Sequence, residues 1–283
     1  MSKKHTLKKV TIVGLGIMGG SLGKEIIFQR LAYVTGVSSS PARIKEAVKL
    51  GAINRGTVNI REGVKDADLV VIAGKVMEIP VKFKQLYPYL KEGAIVTDVG
   101  SVKKYICEAI KKIDKKNVFV GSHPMVGSEK RGLLNSTKEF YKDGVCIMTP
   151  GKETDCDNFT AVYKFWKKMG MTVLAMTAGQ HDAETALISH LPHLAAFCLV
   201  NNAAEIIKKN PLVIGPGFKG ATRIAGSHEE VWAEIFTANK EELLKALSKY
   251  RKELSKLEAA VKSTTPAQMK KIMRGARLLR EKI

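Results

Sequence analysis

Three clusters of residues in this sequence have the types and spacing to carry out chemistry on a small molecule. The first is a glycine-rich turn, GLGIMG at residues 14–19, which directly follows a β-branched run at residues 10–13. The second holds Ser101 and Lys103, and the third places His123 shortly before Glu129. A histidine has a pKa near neutrality and can take a proton from a hydroxyl group. We therefore expect proton transfer at His123, beside a ligand held by the glycine turn.

The glycine turn has the G-x-G-x-x-G spacing of dinucleotide-binding loops, and it stands between a strand-like run and a helical pattern, as such loops do. Gly14 permits the tight turn, Gly16 lets the backbone approach a pyrophosphate, and Gly19 lets helix and strand pack closely. At the helix start, the N–H groups around Ile17 and Met18 are available to phosphate oxygens. A glycine-rich turn without a ligand is the alternative.

The residues after the second strand-like run bear on the choice between NAD and NADP. NAD sites usually carry an acid about 20 residues after the glycine turn, and the chain has no acid between residues 26 and 45. The polar side chains at this place are Ser38, Ser39, Ser40 and Arg43. Hydroxyl groups and a guanidinium bind a 2′-phosphate, which an acid would repel. The sequence therefore favours NADP, with NAD as the alternative if Ser38 binds a ribose hydroxyl and Arg43 is merely solvated.

Strand-like and helical patterns alternate through the first two-thirds of the chain, and the strand-like runs stop after about Thr177. The runs lie at residues 10–13, 33–37, 69–73, 95–99, 118–121, 145–148 and 172–174. Strand, helix and strand repeated in this way predict a parallel sheet covered on both faces. We therefore expect an α/β fold, with a Rossmann-type dinucleotide-binding domain at residues 1–176 and an all-helical substrate and dimerisation domain at residues 177–283.

The helical part contains one stripe of apolar residues with heptad-like spacing. Its members are Leu243, Leu247, Tyr250, Leu254, Leu257 and Val261. Such a stripe is typical of a helix packed inside a bundle, and equally of the seam between two copies of a chain. Three heptads are too few to separate these two interpretations.

Composition and charge limit the classes of function. The 283 residues are 45% hydrophobic, and 47 basic against 27 acidic residues give a net charge of +20. No nucleic-acid module is recognisable, so we expect an anionic small-molecule ligand and no nucleic acid. The four cysteines form no Cys-x-x-Cys pair, which argues against disulfides and a metal site and favours the cytoplasm. No segment resembles a signal peptide or the ~20 apolar residues of a membrane span, so we expect no membrane contact.

Five segments together carry a family resemblance. VGLGIMGGSLG, TDVGSVK, GSHPMVGSE, SHLPH and GPGFKGATRIAGSHEEVW, followed by Asn239, stand in order between residues 9 and 240. In this combination they resemble the prephenate and arogenate dehydrogenase family of tyrosine biosynthesis. Histidines three apart in SHLPH share a helix face, but Pro192 disturbs that geometry and argues against a metal pair.

The resemblance implies an oxidoreductase that decarboxylates prephenate to 4-hydroxyphenylpyruvate while reducing NAD(P), with arogenate as the alternative substrate. It implies that His123 accepts the proton of the ring hydroxyl and that Ser101 orients this histidine. Arg223 would bind a substrate carboxylate, and His193 would contact the substrate side chain. The remaining predicted substrate residues, taken from the same motifs, are Ser122, Glu129 and His190. The helical domain would form a homodimer, as in the family.

One departure and two rival functions remain. Many family members have an apolar residue and a proline after the third strand-like run, where this chain has Gly74, Lys75 and Val76. Lys75 would contact the cofactor phosphates or lie on the surface. A β-hydroxyacid type of NADP-linked dehydrogenase is a rival enzyme, which SHLPH disfavours because it offers no catalytic lysine and asparagine pair. A non-catalytic dinucleotide sensor is a rival from another class.

Overall fold

The computed structural model describes residues 7–128, 130–263 and 266–282. Within them, an eight-stranded sheet has the order β3-β2-β1-β4-β5-β6-β7-β8. The strands are β1 (Lys9–Val13), β2 (Tyr33–Val37), β3 (Arg55–Thr57), β4 (Leu69–Ile72), β5 (Ile95–Asp98), β6 (Phe119–Met125), β7 (Val145–Thr149) and β8 (Thr172–Ala175). The helices between them are α1 (Ile17–Phe28), α2 (Pro41–Lys49), α3 (Ile60–Val64), α4 (Glu78–Leu86), α5 (Lys103–Lys111) and α6 (Cys156–Lys168). Short 3₁₀ turns lie at Tyr87–Tyr89 and Leu133–Asn135.

Apolar clusters cover both faces of the sheet, because alternate residues of a strand point to opposite sides. In β4, Leu69 and Val71 belong to the cluster beneath α1, whereas Val70 and Ile72 belong to the cluster beneath α4 and α5. This strand is therefore apolar at every position, as a central parallel strand must be. The chain leaves β1 toward β2 on one side and continues at β4 on the other. Such a reversal opens a crevice at the carboxyl ends of the strands, where ligands bind.

The rest of the described chain is helical. Its helices are α7 (Ala178–Thr185), α8 (Leu191–Asn202), α9 (Ala204–Lys209), α10 (Pro216–Thr222), α11 (Glu229–Ala238), α12 (Lys240–Lys262) and α13 (Pro266–Arg280), with 3₁₀ turns at Pro211–Val213 and Arg223–Gly226. A π-helical turn, Ala186–His190, joins α7 to α8. Pro192 has no N–H to bond to the preceding turn, so the backbone widens here. Apolar residues of this turn pack against the first half of α12, with Ala186 and Leu243 at the centre.

The predicted α/β fold with a helical C-terminal domain is confirmed, and two details differ. Strand β3 was not predicted, because Arg55–Thr57 is a short edge strand around a glycine. The strands are parallel as predicted except β6 and β7, which pair antiparallel. A parallel return needs a crossover, usually a helix. Among the described residues between β6 and β7 there is only the 3₁₀ turn at Leu133–Asn135, so the chain comes back antiparallel.

The apolar stripe of α12 divides into two parts. Leu243 is buried at 6% exposure, whereas Tyr250, Leu254 and Val261 are 43%, 52% and 72% exposed. Packing inside a helical bundle therefore accounts for the beginning of the stripe alone. The exposed end of the stripe is the part that a second copy of the chain would have to cover.

The expectation that no segment has the length and apolarity of a membrane span is wrong. The continuous helix at Ala178–Asn202 is long and apolar enough, by length and composition alone, to cross a membrane. The same helix carries His181, Asp182 and His190, which are buried and hydrogen-bonded inside the fold. Buried polar groups with partners are ordinary in the core of a helical domain, and they account for this helix without a bilayer.

Candidate active site

The glycine turn leaves a cradle at the start of α1. Gly14 has φ +105°, and a Cβ there would lie 2.3 Å from the carbonyl oxygen of Ala73. A Cβ on Gly19 would lie 2.0 Å from the carbonyl oxygen of Gly14, so these two positions require glycine. A Cβ on Gly16 would have no described protein atom within 4 Å. Space is therefore left in front of Gly16, which is the backbone position that must approach a pyrophosphate.

The first turn of α1 supplies donors to that cradle. Gly16 is the N-cap of the helix and provides no side-chain acceptor for the first N–H groups. Ile17 and Met18 are the first helical residues, and the Met18 carbonyl accepts a hydrogen bond from the buried Tyr141 hydroxyl at 2.9 Å. Unpaired N–H groups at a helix start bind phosphate oxygens. The turn therefore fits the pyrophosphate of a dinucleotide.

The serines after β2 divide between structure and surface. Ser40 is the N-cap of α2, and its hydroxyl oxygen accepts the Arg43 N–H at 3.2 Å. Ser38 is buried at 8% exposure, and its hydroxyl oxygen accepts the Ser40 N–H at 3.3 Å. Ser39 and the Arg43 side chain are exposed. These two are the groups that a phosphate at this edge of the crevice would meet first.

Lys75 forms a bridge between the two domains. Its ammonium lies 2.8 Å from a carboxylate oxygen of Glu230 on α11. This hydrogen bond raises the pKa of Lys75 above its ordinary value. Nearby, the Met77 N–H donates to a carboxylate oxygen of Glu234 at 3.1 Å. The ammonium is thus paired with an acid of the helical domain at an exposed position, and the contact of Lys75 with cofactor phosphates stays a prediction.

His123 lies on β6, and its ring is held by residues of α7. Its Nδ1 is 2.8 Å from Nε2 of His181, and Nδ1 of His181 is 2.6 Å from Oδ1 of Asp182. Asp182 also accepts the N–H groups of Lys103 and Lys104 at 2.8 and 2.9 Å, at the start of α5. The Nε2 of His123 makes no hydrogen bond with a described residue. This nitrogen is therefore available to a substrate hydroxyl.

Burial keeps the two rings neutral. The pKa of His123 lies well below its usual range, first because of burial and then because His181 and Lys103 are close. Burial also lowers the pKa of His181, although its hydrogen bond with Asp182 works in the opposite direction. A neutral imidazole with one open nitrogen is the form that a general base requires.

A buried ion pair fixes the backbone on which His123 sits. Lys103 and Asp98 form a salt bridge whose side chains are both 0% exposed. Lys103 also donates to the Ser122 carbonyl at 2.7 Å, and Asp98 accepts the Ser122 N–H at 3.0 Å. The pair therefore ties the end of β5 to β6, one residue before His123. Lys103 therefore adds no net positive charge to the cleft, because Asp98 neutralises it in the core.

Ser122 belongs to the core and not to the substrate site. It is fully buried. Its hydroxyl oxygen accepts hydrogen bonds from Thr97 Oγ1 at 2.8 Å and from Trp166 Nε1 at 3.0 Å. In a strand, neighbouring side chains point to opposite faces, so His123 reaches the cleft because Ser122 points inward. The predicted substrate contact of Ser122 is therefore wrong.

Ser101 lies partly buried in the loop between β5 and α5. Among the described residues, the hydrogen bond that orients His123 comes from His181 and none comes from Ser101. The predicted orienting role of Ser101 is therefore corrected. The approach of Ser101 to the nicotinamide, which the family resemblance also implies, stays a prediction.

The two histidines of SHLPH have different surroundings. His190 is 1% exposed, and its Nδ1 accepts a hydrogen bond from Asn239 Nδ2 at 3.1 Å. Burial lowers its pKa to about 4. The predicted substrate contact of His190 is therefore corrected to a structural contact with Asn239, the N-cap of α12. Asn239 also donates to the Asp182 carbonyl at 2.8 Å, which links the start of α12 to the His123 cluster.

His193 is half-buried and carries the substrate-facing role better. Its Nδ1–H donates to the Ser189 carbonyl at 2.9 Å, so its Nε2 is the open nitrogen. The ring stacks on Trp232 with centroids 3.5 Å apart. Arg223 is close enough to lower the pKa of His193, after burial. Arg223 and His193 are therefore neighbours in the helical domain.

One predicted site residue is not described by the structure, and three site residues were not predicted. Glu129 lies outside the described residues, so its predicted place at the cleft stays a prediction. His181, Asp182 and Trp232 were not singled out, although an adjacent His-Asp pair at the start of a helix is a recognisable signal. No cluster of three His, Cys, Asp or Glu side chains within the described residues is arranged to hold a metal ion. The prediction of a metal-free site stays a prediction.

Comparisons with known proteins agree on one family. The description "Prephenate dehydrogenase, nucleotide-binding domain" matches residues 27–175, and "Prephenate dehydrogenase, dimerization domain" matches residues 177–275. The chain is 31% identical over 265 residues to the cyclohexadienyl dehydrogenase of Zymomonas mobilis, which covers 90% of this chain and 89% of that protein. It is 30% identical over 258 residues to the prephenate dehydrogenase of Bacillus subtilis, with 89% of this chain and 70% of that protein covered.

A solved structure extends the likeness to three dimensions. The crystal structure of prephenate dehydrogenase from A. aeolicus, in complex with hydroxyphenyl propionate and NAD+, has a TM-score of 0.91. Its sequence identity is 32%, and the match covers 99% of both chains. The resemblance carried by the five sequence segments is thus confirmed. This chain belongs to the prephenate dehydrogenase family of oxidoreductases.

Proposed function

We propose that this chain catalyses the oxidative decarboxylation of prephenate to 4-hydroxyphenylpyruvate, with a nicotinamide dinucleotide as the hydride acceptor. The observation that carries the proposal is the neutral His123 ring, with Nδ1 held by His181 and Nε2 open. This base lies near the carboxyl end of β6, at the same edge of the sheet as the glycine cradle at Gly16. A dehydrogenase needs this pairing of a base for a hydroxyl proton with a site for the hydride acceptor.

His123 acts twice in the proposed reaction. Its Nε2 takes the hydroxyl proton of the ring while the hydride on the same carbon leaves for the nicotinamide. The bond between the ring and its carboxylate then breaks, carbon dioxide departs, and the electron pair makes the ring aromatic with a phenolate oxygen. His123 returns the proton to that oxygen. The proton balance closes within the site, so the base is neutral again for the next turnover.

Arg223 and His193 bind the substrate in this proposal. A guanidinium can hold a carboxylate through two parallel hydrogen bonds. The open Nε2 of His193 faces the substrate side chain, and the stack on Trp232 fixes the ring in place. Arogenate, in which an amino group replaces the side-chain keto group, is the alternative substrate. The imidazole of His193 has no negative charge that would pair with the amino group of arogenate. It therefore accommodates the keto group better, which favours prephenate.

We further propose NADP as the preferred cofactor, with NAD as the alternative. No acid lies between residues 26 and 45, a range that includes the end of β2. The exposed Ser39 and Arg43 are the polar groups at that edge. An Arg43→Ala variant should raise the KM for NADP about tenfold, as expected for the loss of one charge-assisted hydrogen bond, and leave the KM for NAD unchanged. Equal effects on the two cofactors would contradict the NADP preference.

The proposal includes a homodimer. The matched family description for residues 177–275 is a dimerization domain. The end of the α12 stripe, with Leu254 and Val261 exposed, offers an apolar face for a second copy. A Leu254→Asp variant should shift the mass measured by light scattering from dimer to monomer. Lys256→Ala, on the exposed side chain of the same helix, should not.

The activity is tested by following the absorbance of the reduced nicotinamide. Prephenate and arogenate are each combined with NAD and NADP, for the wild type and for His123→Asn. We expect turnover with prephenate, and its loss in His123→Asn while dinucleotide binding and the unfolding temperature are retained. A folded wild-type protein that binds a dinucleotide and turns over neither substrate would refute the proposal and favour a sensor.

A further inference from the structure

We propose that His181 and Asp182 are positioning residues that set the tautomer of His123, so that its cleft-facing Nε2 carries the lone pair. The inference rests on the proposed function, because it concerns the base of that reaction. It goes further in assigning the selection of the active tautomer to two residues of the helical domain.

The Asp182 carboxylate has three hydrogen-bond partners, two backbone N–H groups and the ring of His181. Backbone N–H groups are always donors, and those of Lys103 and Lys104 point at Oδ1 and Oδ2. The ring of His181 meets Oδ1 through its Nδ1. An ionised carboxylate accepts hydrogen bonds and donates none. The proton of the neutral His181 ring must therefore be on Nδ1, and Asp182 is its acceptor.

The same reasoning passes to the next ring. A neutral imidazole with its proton on Nδ1 has a lone pair on Nε2. The Nε2 of His181 therefore accepts, and its partner at 2.8 Å, Nδ1 of His123, must donate. His123 then has its proton on Nδ1 and its lone pair on Nε2. Each hydrogen bond in the chain has a fixed direction, and the direction is set at the carboxylate.

This direction also serves the charged state of the base. When Nε2 of His123 takes the hydroxyl proton, the ring becomes an imidazolium and its Nδ1–H becomes a stronger donor. The hydrogen bond to His181, backed by the negative charge of Asp182, then holds the positive charge until the proton returns to the phenolate. A buried imidazolium without such partners would be strongly disfavoured.

The positions of the three residues connect the inference to the assembly of the fold. His123 belongs to the sheet domain, whereas His181 and Asp182 open the helical domain on α7. Asp182 receives the first N–H groups of α5, so it also acts as a cap for a helix of the other domain. The tautomer of the base is therefore correct only when α7 is docked against α5.

The direct test is nuclear magnetic resonance of the histidine rings in protein labelled with ¹⁵N-histidine. Nitrogen chemical shifts separate a protonated ring nitrogen from one with a lone pair, and His123→Asn assigns the signal. In the wild type we expect His123 and His181 to be protonated at Nδ1. Protonation of His123 at Nε2 in the wild type would overturn the inference.

The Asp182→Asn variant should keep the direction of the hydrogen bonds and remove the negative charge behind them. Oδ1 of Asp182 accepts from both the Lys103 N–H and the His181 ring, whereas Oδ2 accepts from the Lys104 N–H alone. An amide therefore keeps its oxygen at the place of Oδ1, and both rings stay protonated at Nδ1. The imidazolium that forms on His123 loses the charge that stabilises it. We expect an unchanged ring spectrum and a fall in kcat of about 10–10²-fold, the effect of one hydrogen bond to a charged group; an unchanged kcat would contradict the role of Asp182.

Two substitutions of His181 separate positioning from packing. His181→Gln can place its side-chain oxygen where Nε2 stood and accept from His123, whereas His181→Leu offers no acceptor. We expect His181→Gln to retain much of kcat and His181→Leu to lose about 10²-fold or more. The KM should change little in both, because neither residue is placed against the substrate. Equal loss in the two variants would contradict a positioning role.

Asp68→Asn is the matched control for Asp182→Asn. Its carboxylate also accepts two backbone N–H groups, those of Lys8 and Lys9, each at 2.8 Å. It lies at the opposite end of the sheet, so Asp68→Asn should lower stability without changing kcat or the His123 signal. The ring spectrum of the unliganded protein tests the inference even if the wild type turns over neither substrate. Failure of the proposed function and failure of the inference are thereby distinguished.

Discussion

Replacing Lys103 by methionine tests the buried ion pair beneath the active site. Methionine keeps most of the length of the lysine side chain and removes its charge. The substitution leaves the Asp98 carboxylate at 0% exposure without its cation. It also removes the hydrogen bond to the Ser122 carbonyl, which stands next to His123.

The expected loss follows from this arrangement. Removing one partner of a buried ion pair costs about 3–5 kcal/mol, because a charge is left uncompensated in the interior. The lost bond to Ser122 places Lys103→Met in the upper half of that range. Natural domains are stable by about 5–15 kcal/mol, so the variant should lose a large part of its stability. Asp98→Asn in the same chain should recover part of the loss, since it removes the unpaired charge.

Urea unfolding followed by circular dichroism measures the effect. The fluorescence of Trp166 adds a signal from the region of the ion pair, because its indole N–H donates to Ser122. Lys104→Met is the control one residue further along the chain, where the ammonium is exposed and its pair with Glu241 is at the surface. We expect little change in that variant. The reasoning is refuted if Lys103→Met and Lys104→Met unfold at the same urea concentration.

Three further predictions concern the cradle, acid stability and the aromatic stack. Gly16→Ala should keep the unfolding temperature and weaken dinucleotide binding measured by calorimetry, whereas Gly14→Ala should unfold at a lower temperature because its Cβ meets Ala73. The pKa of His190 falls from 6.5 to about 4, so the unfolded chain binds that proton first. The contribution of His190 to stability should therefore be constant above pH 7 and fall by about 3 kcal/mol between pH 6.5 and 4. Urea midpoints for His190→Asn should fall less steeply. Trp232→Ala should raise the KM for prephenate up to about tenfold by releasing His193; an unchanged KM would exclude this role for the stack.

The sequence predicted best what local spacing determines. The glycine turn at residues 14–19 requires glycine at two positions for the reasons that the motif predicts, because a Cβ on Gly14 or Gly19 would clash with a nearby carbonyl oxygen. The place of His123 at the edge of the sheet was also predicted, since a strand leading into a glycine-containing loop marks the ligand edge of a parallel sheet. These features depend on a few consecutive residues and on the strand beside them.

The sequence predicted poorly which way a side chain points and which distant residue it meets. Ser122 lies near the carboxyl end of β6 and Lys103 begins α5 beyond β5, yet both point into the core. Position along the chain places a residue at an edge of the sheet, but the packing around Asp98 and Trp166 decides its direction. His181 escaped notice for a related reason, since it lies 58 residues from the ring that it holds.

The candidate site is divided between the two domains. In the proposed reaction, the sheet domain provides the base, the glycine cradle and the ion pair that fixes the base's backbone. The helical domain provides the acceptor for that base through His181, the carboxylate behind it through Asp182, and the link from Asn239 to both. A sheet domain of this type can bind a dinucleotide by itself. It would hold His123 without a partner that defines its tautomer, so the step from binding a cofactor to removing a proton depends on the docking of α7.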